Sequence, residues 1–223
     1  MRALAAFALC ALAQTSTPNS VPVYEESYHV LRLTNAHARV MDISIPAGKS
    51  TLYHTHAADL VGVSIQDSPT RTIVGGTITN APADPAGLIW YEPFGSHPVT
   101  HEVSNLGTRP TRYIGAEVLA GAAQPSTVAP LNTAGHRLEL ENDRILGFRV
   151  KLGAGEELGS HVHSGPVLLI AVSGGTVRLA GEGGGERTWQ SAPGDFLWFE
   201  HGGPGTIADT GGEAFEAVEL EWR

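Results

Sequence analysis

Two histidines one residue apart, His54 and His56, follow a glycine in the stretch AGKSTLYHTHAADL, residues 47 to 60. On a strand, side chains at i and i+2 leave the same face with Cα atoms about 6.5 Å apart. Two imidazoles at that spacing can converge on one metal ion, whose bonds to nitrogen are about 2.0 to 2.2 Å. Tyr53 and Thr55 would then face the other way. A lone His-x-His reads most simply as two polar residues on a solvated strand. Here it occurs twice, because His161 and His163 close AGEELGSHVH, residues 154 to 163, again after a glycine turn. Recurrence at equivalent places points to an ancestral metal site.

The elements that hold these histidines also recur. HVLRLTN at 29 to 35 matches HRLELEN at 136 to 142 with the same offset, 107 residues, that relates the two His-x-His segments. Met41, Ile43 and Ile45 alternate with polar or smaller residues as Phe148, Val150 and Leu152 do, which predicts half-buried strands. The chain therefore reads as two copies of one β unit, roughly 21 to 122 and 134 to 223, joined by the small, polar, Pro-containing stretch 120 to 135. The 27 glycines and 14 prolines punctuate short Val, Ile, Leu and Thr runs with no long helical period, so the fold class is all-β. His29 and His136 repeat within leucine-rich alternating segments and read as structural. GEGGGER, 181 to 187, lacks the Lys-Ser/Thr and helix of a phosphate loop and reads as a hairpin tip.

Composition narrows the partners. Fourteen Lys and Arg against 23 Asp and Glu give a net charge of −9 over 223 residues. With no basic cluster, nucleic acid and anionic membranes are unsuitable partners. Residues 1 to 13, with one arginine and a short Ala/Leu/Phe stretch ending in Ala11-Leu12-Ala13, read as a signal peptide cut near Gln14, too short to span a bilayer. The expected location is secreted or periplasmic. Cleavage removes Cys10, the only cysteine, which excludes disulfides, thiolate catalysis and Cys-rich zinc sites.

A glycine, five residues, His-x-His and then His101-Glu-Val-Ser-Asn105, preceded by the turn Pro93-Phe94-Gly95, resembles the cupin superfamily. The resemblance covers nearly all of the mature chain, twice, and implies a bicupin, two tandem jelly-roll β-barrels from an internal duplication. It further implies one divalent metal ion, iron first, with manganese, zinc, nickel or copper as alternatives, held by His54, His56 and His101. Cupins usually add a glutamate four or five residues after the second histidine, where this chain has Leu60 and Val61, and Val167 and Leu168 in the second copy. Asp59 is near but three residues past His56, so on an unbroken strand it faces away. His97 competes with His101, since GSHPVTHEVSN is three residues longer than the usual spacing. In the second copy Gly205 occupies the third-histidine position and His201 falls in the turn before it. With His161 and His163 alone, that barrel is expected to bind metal weakly or not at all.

Three-histidine cupins of known activity often use dioxygen, so the resemblance implies a dioxygenase-like oxidoreductase acting on a small organic molecule, ahead of a lyase or isomerase. An oxalate-degrading manganese enzyme fits less well, since those sites keep the glutamate. The rival is a non-catalytic periplasmic binding or storage cupin with a relic site. A homo-oligomer is compatible with either.

Overall fold

The computed structural model describes residues 19–120, 132, 133, 135–181 and 185–223. The expected signal peptide, nearly all of the connection and the centre of the glycine-rich run lie outside the described residues. The first half contains β1 (Val21–Pro22), β2 (His29–Thr34), β3 (Ala38–Ile45), β4 (His54–His56), β5 (Asp59–Gln66), β6 (Thr70–Val74), β7 (Thr77–Ala81), β8 (Ile89–Glu92), β9 (Val99–Asn105) and β10 (Thr111–Val118). The second contains β11 (His136–Glu141), β12 (Ile145–Leu152), β13 (Glu157–Leu158), β14 (Val167–Ala171), β15 (Gly175–Ala180), β16 (Glu186–Ser191), β17 (Phe196–Phe199), β18 (Thr206–Asp209) and β19 (Phe215–Trp222).

Each half folds into two facing sheets. The first has the orders β1-β4-β9-β6-β7 and β2-β3-β10-β5-β8, and the second β13-β18-β15-β16 and β11-β12-β19-β14-β17. These are two jelly-roll barrels in tandem. Gly48 and Gly155, the equivalent glycines ahead of the two His-x-His segments, both sit at positive φ, +69° and +72°. That left-handed turn suits glycine and returns the chain to the barrel wall.

In the two long sheets β3 and β12 keep part-exposed polar residues such as Asp42, Ser44, Arg149 and Lys151 between their buried apolar ones, whereas β5 and β14 are buried on both faces. Val40, Val61, Val63, Ile114 and Ala116 of the first barrel share one core with Ile145, Leu168, Ile170, Val218, Leu220 and Trp222 of the second. Met41, Ile43 and Leu60, on the opposite face, fill the first barrel's interior, while Val150, Leu169, Ala171 and Ala217 fill the second's. The barrels pack back to back, so the inner strands β5 and β14 have no solvent face, while the edge strands β2 and β11 keep one. This is why the first seven residues of β5 and all of β14 are buried throughout. Trp222 Nε1 donates to His37 O at 3.2 Å, and Arg144 reaches Asp59 at 3.2 Å, tying the halves together at polar points around the shared core.

Candidate metal centre

The short strand β4 lies between β1 and β9, and its register with β9 places His54 opposite His101. His54 and His56 therefore point into the barrel with His101 beside them. Thr55 points the other way, its hydroxyl 2.8 Å from that of Thr100. His101 Nε2 lies 2.9 Å from His54 Nε2 and 3.1 Å from His56 Nε2. His54 Nδ1 donates to Leu52 O at 2.9 Å, which leaves its Nε2 with a lone pair. Asn105, four residues beyond His101, pins the strand, its side-chain amide donating to Ile45 O and Arg109 O at 2.9 and 2.7 Å.

Burial keeps this group neutral. Desolvation, then the neighbouring His101 and His54, lowers His56 to about 2. Desolvation, then His54, lowers His101 to about 3, and desolvation also lowers His54. Neutral imidazoles with converging lone pairs are the form that ligates a metal. In an octahedral arrangement, nitrogens on adjacent positions of an ion would be about 3.0 Å apart, as two of these contacts are. The residues present fit a divalent ion.

The other sequence candidates fall elsewhere. His97 is exposed, its Nδ1 2.8 Å from Ser96 Oγ. Asp59 faces away from the group, accepting from Tyr91 Oη at 2.6 Å and from the Gly95 amide at 2.8 Å. His201 is exposed in a bend. His29 donates from Nδ1 to Val23 O at 2.8 Å and packs edge-on against His54, ring centroids 4.7 Å apart.

Beside the three imidazoles is a cavity of 360 Å³ walled by Ile43, Leu60, Trp90, Phe94, Val99 and Val103, among others. The Phe94 ring lies 4.6 Å from that of His56. The carboxylate of Asp59 holds the turn that carries Phe94 through Gly95. Among the described residues no lysine or arginine lines this cavity, and Glu92 is the one carboxylate that does.

The second barrel departs from expectation. His161 and His163 are joined by His136 from β11 and Glu219 from β19, and one ligand atom from each lies within 4.8 Å of all the others. His136 Nε2 is 2.8 Å from Glu219 Oε2, with His161 Nε2 and His163 Nε2 at 3.4 and 3.3 Å. The barrel thus offers four buried potential donors, His136 among them, where the sequence suggested two. Burial opposes charge on His163, but Glu219 and Glu221 outweigh it and raise His163 to about 10. Burial likewise works to raise Glu219, yet the three histidines that face it, His136 at hydrogen-bond distance, hold it well below the usual carboxylate range. Neither His136 nor Glu219 belongs to the His-x-His motif, although His136 recurs with His29. The signal for Glu219 is the alternation of FEAVELEW, whose Val218, Leu220 and Trp222 take the inter-barrel face and leave Glu219 and Glu221 to the interior.

Neither a protein-family model nor a curated protein matches the sequence. Solved structures do. YhaK from Escherichia coli superposes with a TM-score of 0.56 at 14% identity, over 88% of this chain and 92% of that one. A variant of salicylate 1,2-dioxygenase from Pseudoaminobacter salicylatoxidans gives 0.56 at 12%, over 83% and 70%. A cupin 2 conserved barrel domain protein from Leptotrichia buccalis gives 0.50 at 10%, over 92% of each. At these identities the likeness is one of fold.

Proposed function

From a chain with the two-barrel cupin fold, we propose a metal-dependent enzyme of the oxygenase type, with its centre in the first barrel. His54, His56 and His101 hold one divalent ion, iron(II) first, and the cavity beside them takes a small, neutral, largely apolar molecule. The observation that carries this reading is the convergence of three neutral imidazole nitrogens at an apolar cavity of 360 Å³. An ion held by three imidazoles keeps open positions and supplies oxygenase or Lewis-acid chemistry. The chain's own groups do the rest. Leu52 O fixes the His54 tautomer, and Phe94 and Trp90 exclude water and position an apolar substrate. With no lining cation and Glu92 at the wall, an anionic substrate finds no counter-charge there.

The test is anaerobic reconstitution with iron(II) followed by dioxygen-uptake measurements against a panel of neutral aromatic and aliphatic compounds and their carboxylate analogues. Uptake with a neutral compound, lost in His101→Ala, supports the reading. Calorimetric binding of neutral compounds without uptake or product supports instead a non-catalytic binding or storage protein, a second reading that the lack of a carboxylate in the first group favours. Export through a cleavable peptide at residues 1 to 13 belongs to the same proposal, and N-terminal sequencing of the mature protein tests it.

A further inference from the structure

The two barrels have exchanged donor positions. In the first, the third imidazole comes from β9; at the equivalent place in the second stands Gly205, whose carbonyl accepts the His161 amide at 2.9 Å. The last strands do the reverse. β10 pairs Gly115 with Met41 and β19 pairs Glu219 with Phe148. Met41 and Phe148 are equivalent at the 107-residue offset, so Glu219 stands where the first barrel has Gly115. A side chain at Gly115 is crowded, since a Cβ there would lie 2.9 Å from Ile43 Cδ1. Each barrel thus supplements His-x-His from a strand where the other has glycine.

We propose that the second barrel holds its own divalent transition-metal ion in a closed site formed by His136, His161, His163 and Glu219. Relative exposures of these residues are 1%, 5%, 9% and 0%. His161 Nε2, His163 Nε2 and Glu219 Oε1 are buried with no hydrogen-bond partner. His163 Nδ1 donates to Glu221 Oε2 at 2.8 Å and His161 Nδ1 to Gly159 O at 3.2 Å, so each ring is anchored through Nδ1 with its Nε2 turned toward Glu219 Oε2. A divalent ion among them would take the place of the Nε2 protons and be ligated by the imidazole nitrogens and the carboxylate.

Charge gives an independent argument. Glu219 and Glu221 are both buried, and among the described residues no lysine or arginine ion pair reaches either one. A divalent ion placed among the histidines balances both carboxylates. Glu221 then serves as the outer carboxylate that orients a ligating histidine. The loop over the site is close, since a Cβ at Gly203 would lie 2.6 Å from His163 Cδ2. Four protein donors under a packed loop describe a structural ion, in contrast to the first centre with its adjoining cavity. The expected content becomes two ions per chain.

Cobalt(II) is the probe. Chelator-stripped protein carrying His54→Ala and His101→Ala, which disable the first centre, is titrated with cobalt(II) and its bound metal counted after gel filtration. About one ion per chain should remain, with visible absorption of a four- or five-coordinate centre. Glu219→Gln on that background keeps the side-chain size and should weaken binding at least about tenfold; Glu221→Gln should weaken it less. Circular dichroism confirms folding of each variant. A folded double variant that binds no cobalt overturns the site, as does Glu219→Gln binding as tightly as its parent. A purely structural His–Glu cluster would show Glu219→Gln lowering Tm equally with and without cobalt, and that outcome also overturns it. None of these measurements depends on whether the first barrel is an enzyme.

Discussion

His54 and His101 face one another across the β4–β9 ladder with their Nε2 atoms 2.9 Å apart. Two neutral imidazole nitrogens at that distance need a shared proton or a cation between them. His101→Ala should therefore cost the first centre its ion, with affinity falling at least about a hundredfold. His97→Ala should change little, since His97 is exposed beside Ser96. Titration in a Glu219→Gln background isolates the first centre. The reverse ranking would move the ligand role to His97.

Asp59 tests the alternative of two histidines and one carboxylate. Its oxygens are occupied by Tyr91, the Gly95 amide and Arg144. Asp59→Asn should retain the first ion at neutral pH while losing about 1 to 3 kcal/mol of stability, because a charge-assisted network between the barrels is broken. Denaturant unfolding and metal content are read on the same sample. Loss of the ion from a folded Asp59→Asn protein would make Asp59 a ligand.

Acid should act on the first barrel with a defined sign. His56 and His101, held at about 2 and about 3 chiefly by burial, titrate near 6.5 once unfolded. Between those values the unfolded chain binds more protons, so this contribution to stability is complete above about pH 6.5 and is lost as pH falls toward the folded values. In chelator-stripped protein, His56→Leu should flatten the fall of Tm between pH 6.5 and 4. An unchanged slope would show that His56 is not the buried neutral group described. With metal bound, release should come below pH 6.5 and take up more than one proton.

How much of this was legible in the sequence follows from where each signal lives. The duplication and both His-x-His pairs are local patterns, and the structure brings His101 to the first pair from 45 residues beyond His56. Asp59 faces away from the group, though not through strand alternation, since β4 ends at His56 and β5 opens the other sheet at Asp59, whose direction is fixed by Tyr91 and the Gly95 amide. The burial of β5 and β14 on both faces was not legible, because it depends on the partner barrel and not on the strand's own alternation. Glu219 was hidden for the same reason. On a strand with one solvent face, Glu219 and Glu221 would be its wet side. Here Val218, Leu220 and Trp222 pack against the other barrel, and the acids turn inward to His136, His161 and His163.

The cavity of the first barrel depends on a glycine. Gly62 pairs with Trp90 across β5 and β8, and a Cβ at Gly62 would overlap the Trp90 ring. Trp90 is a wall of the cavity and meets Tyr113 edge-on, ring centroids 6.2 Å apart. Gly62→Ala should push the indole toward the cavity at a cost of about 1 to 3 kcal/mol from overpacking. Binding of a neutral aromatic compound should weaken at least about tenfold, whereas the metal content should stay unchanged because His54, His56 and His101 lie on β4 and β9. The two effects separate cavity from metal, so calorimetry with the compound and elemental analysis of the same preparation decide the matter. If Gly62→Ala binds the compound like the parent, with a crystal structure showing the indole displaced, the apolar cavity is not where the substrate sits.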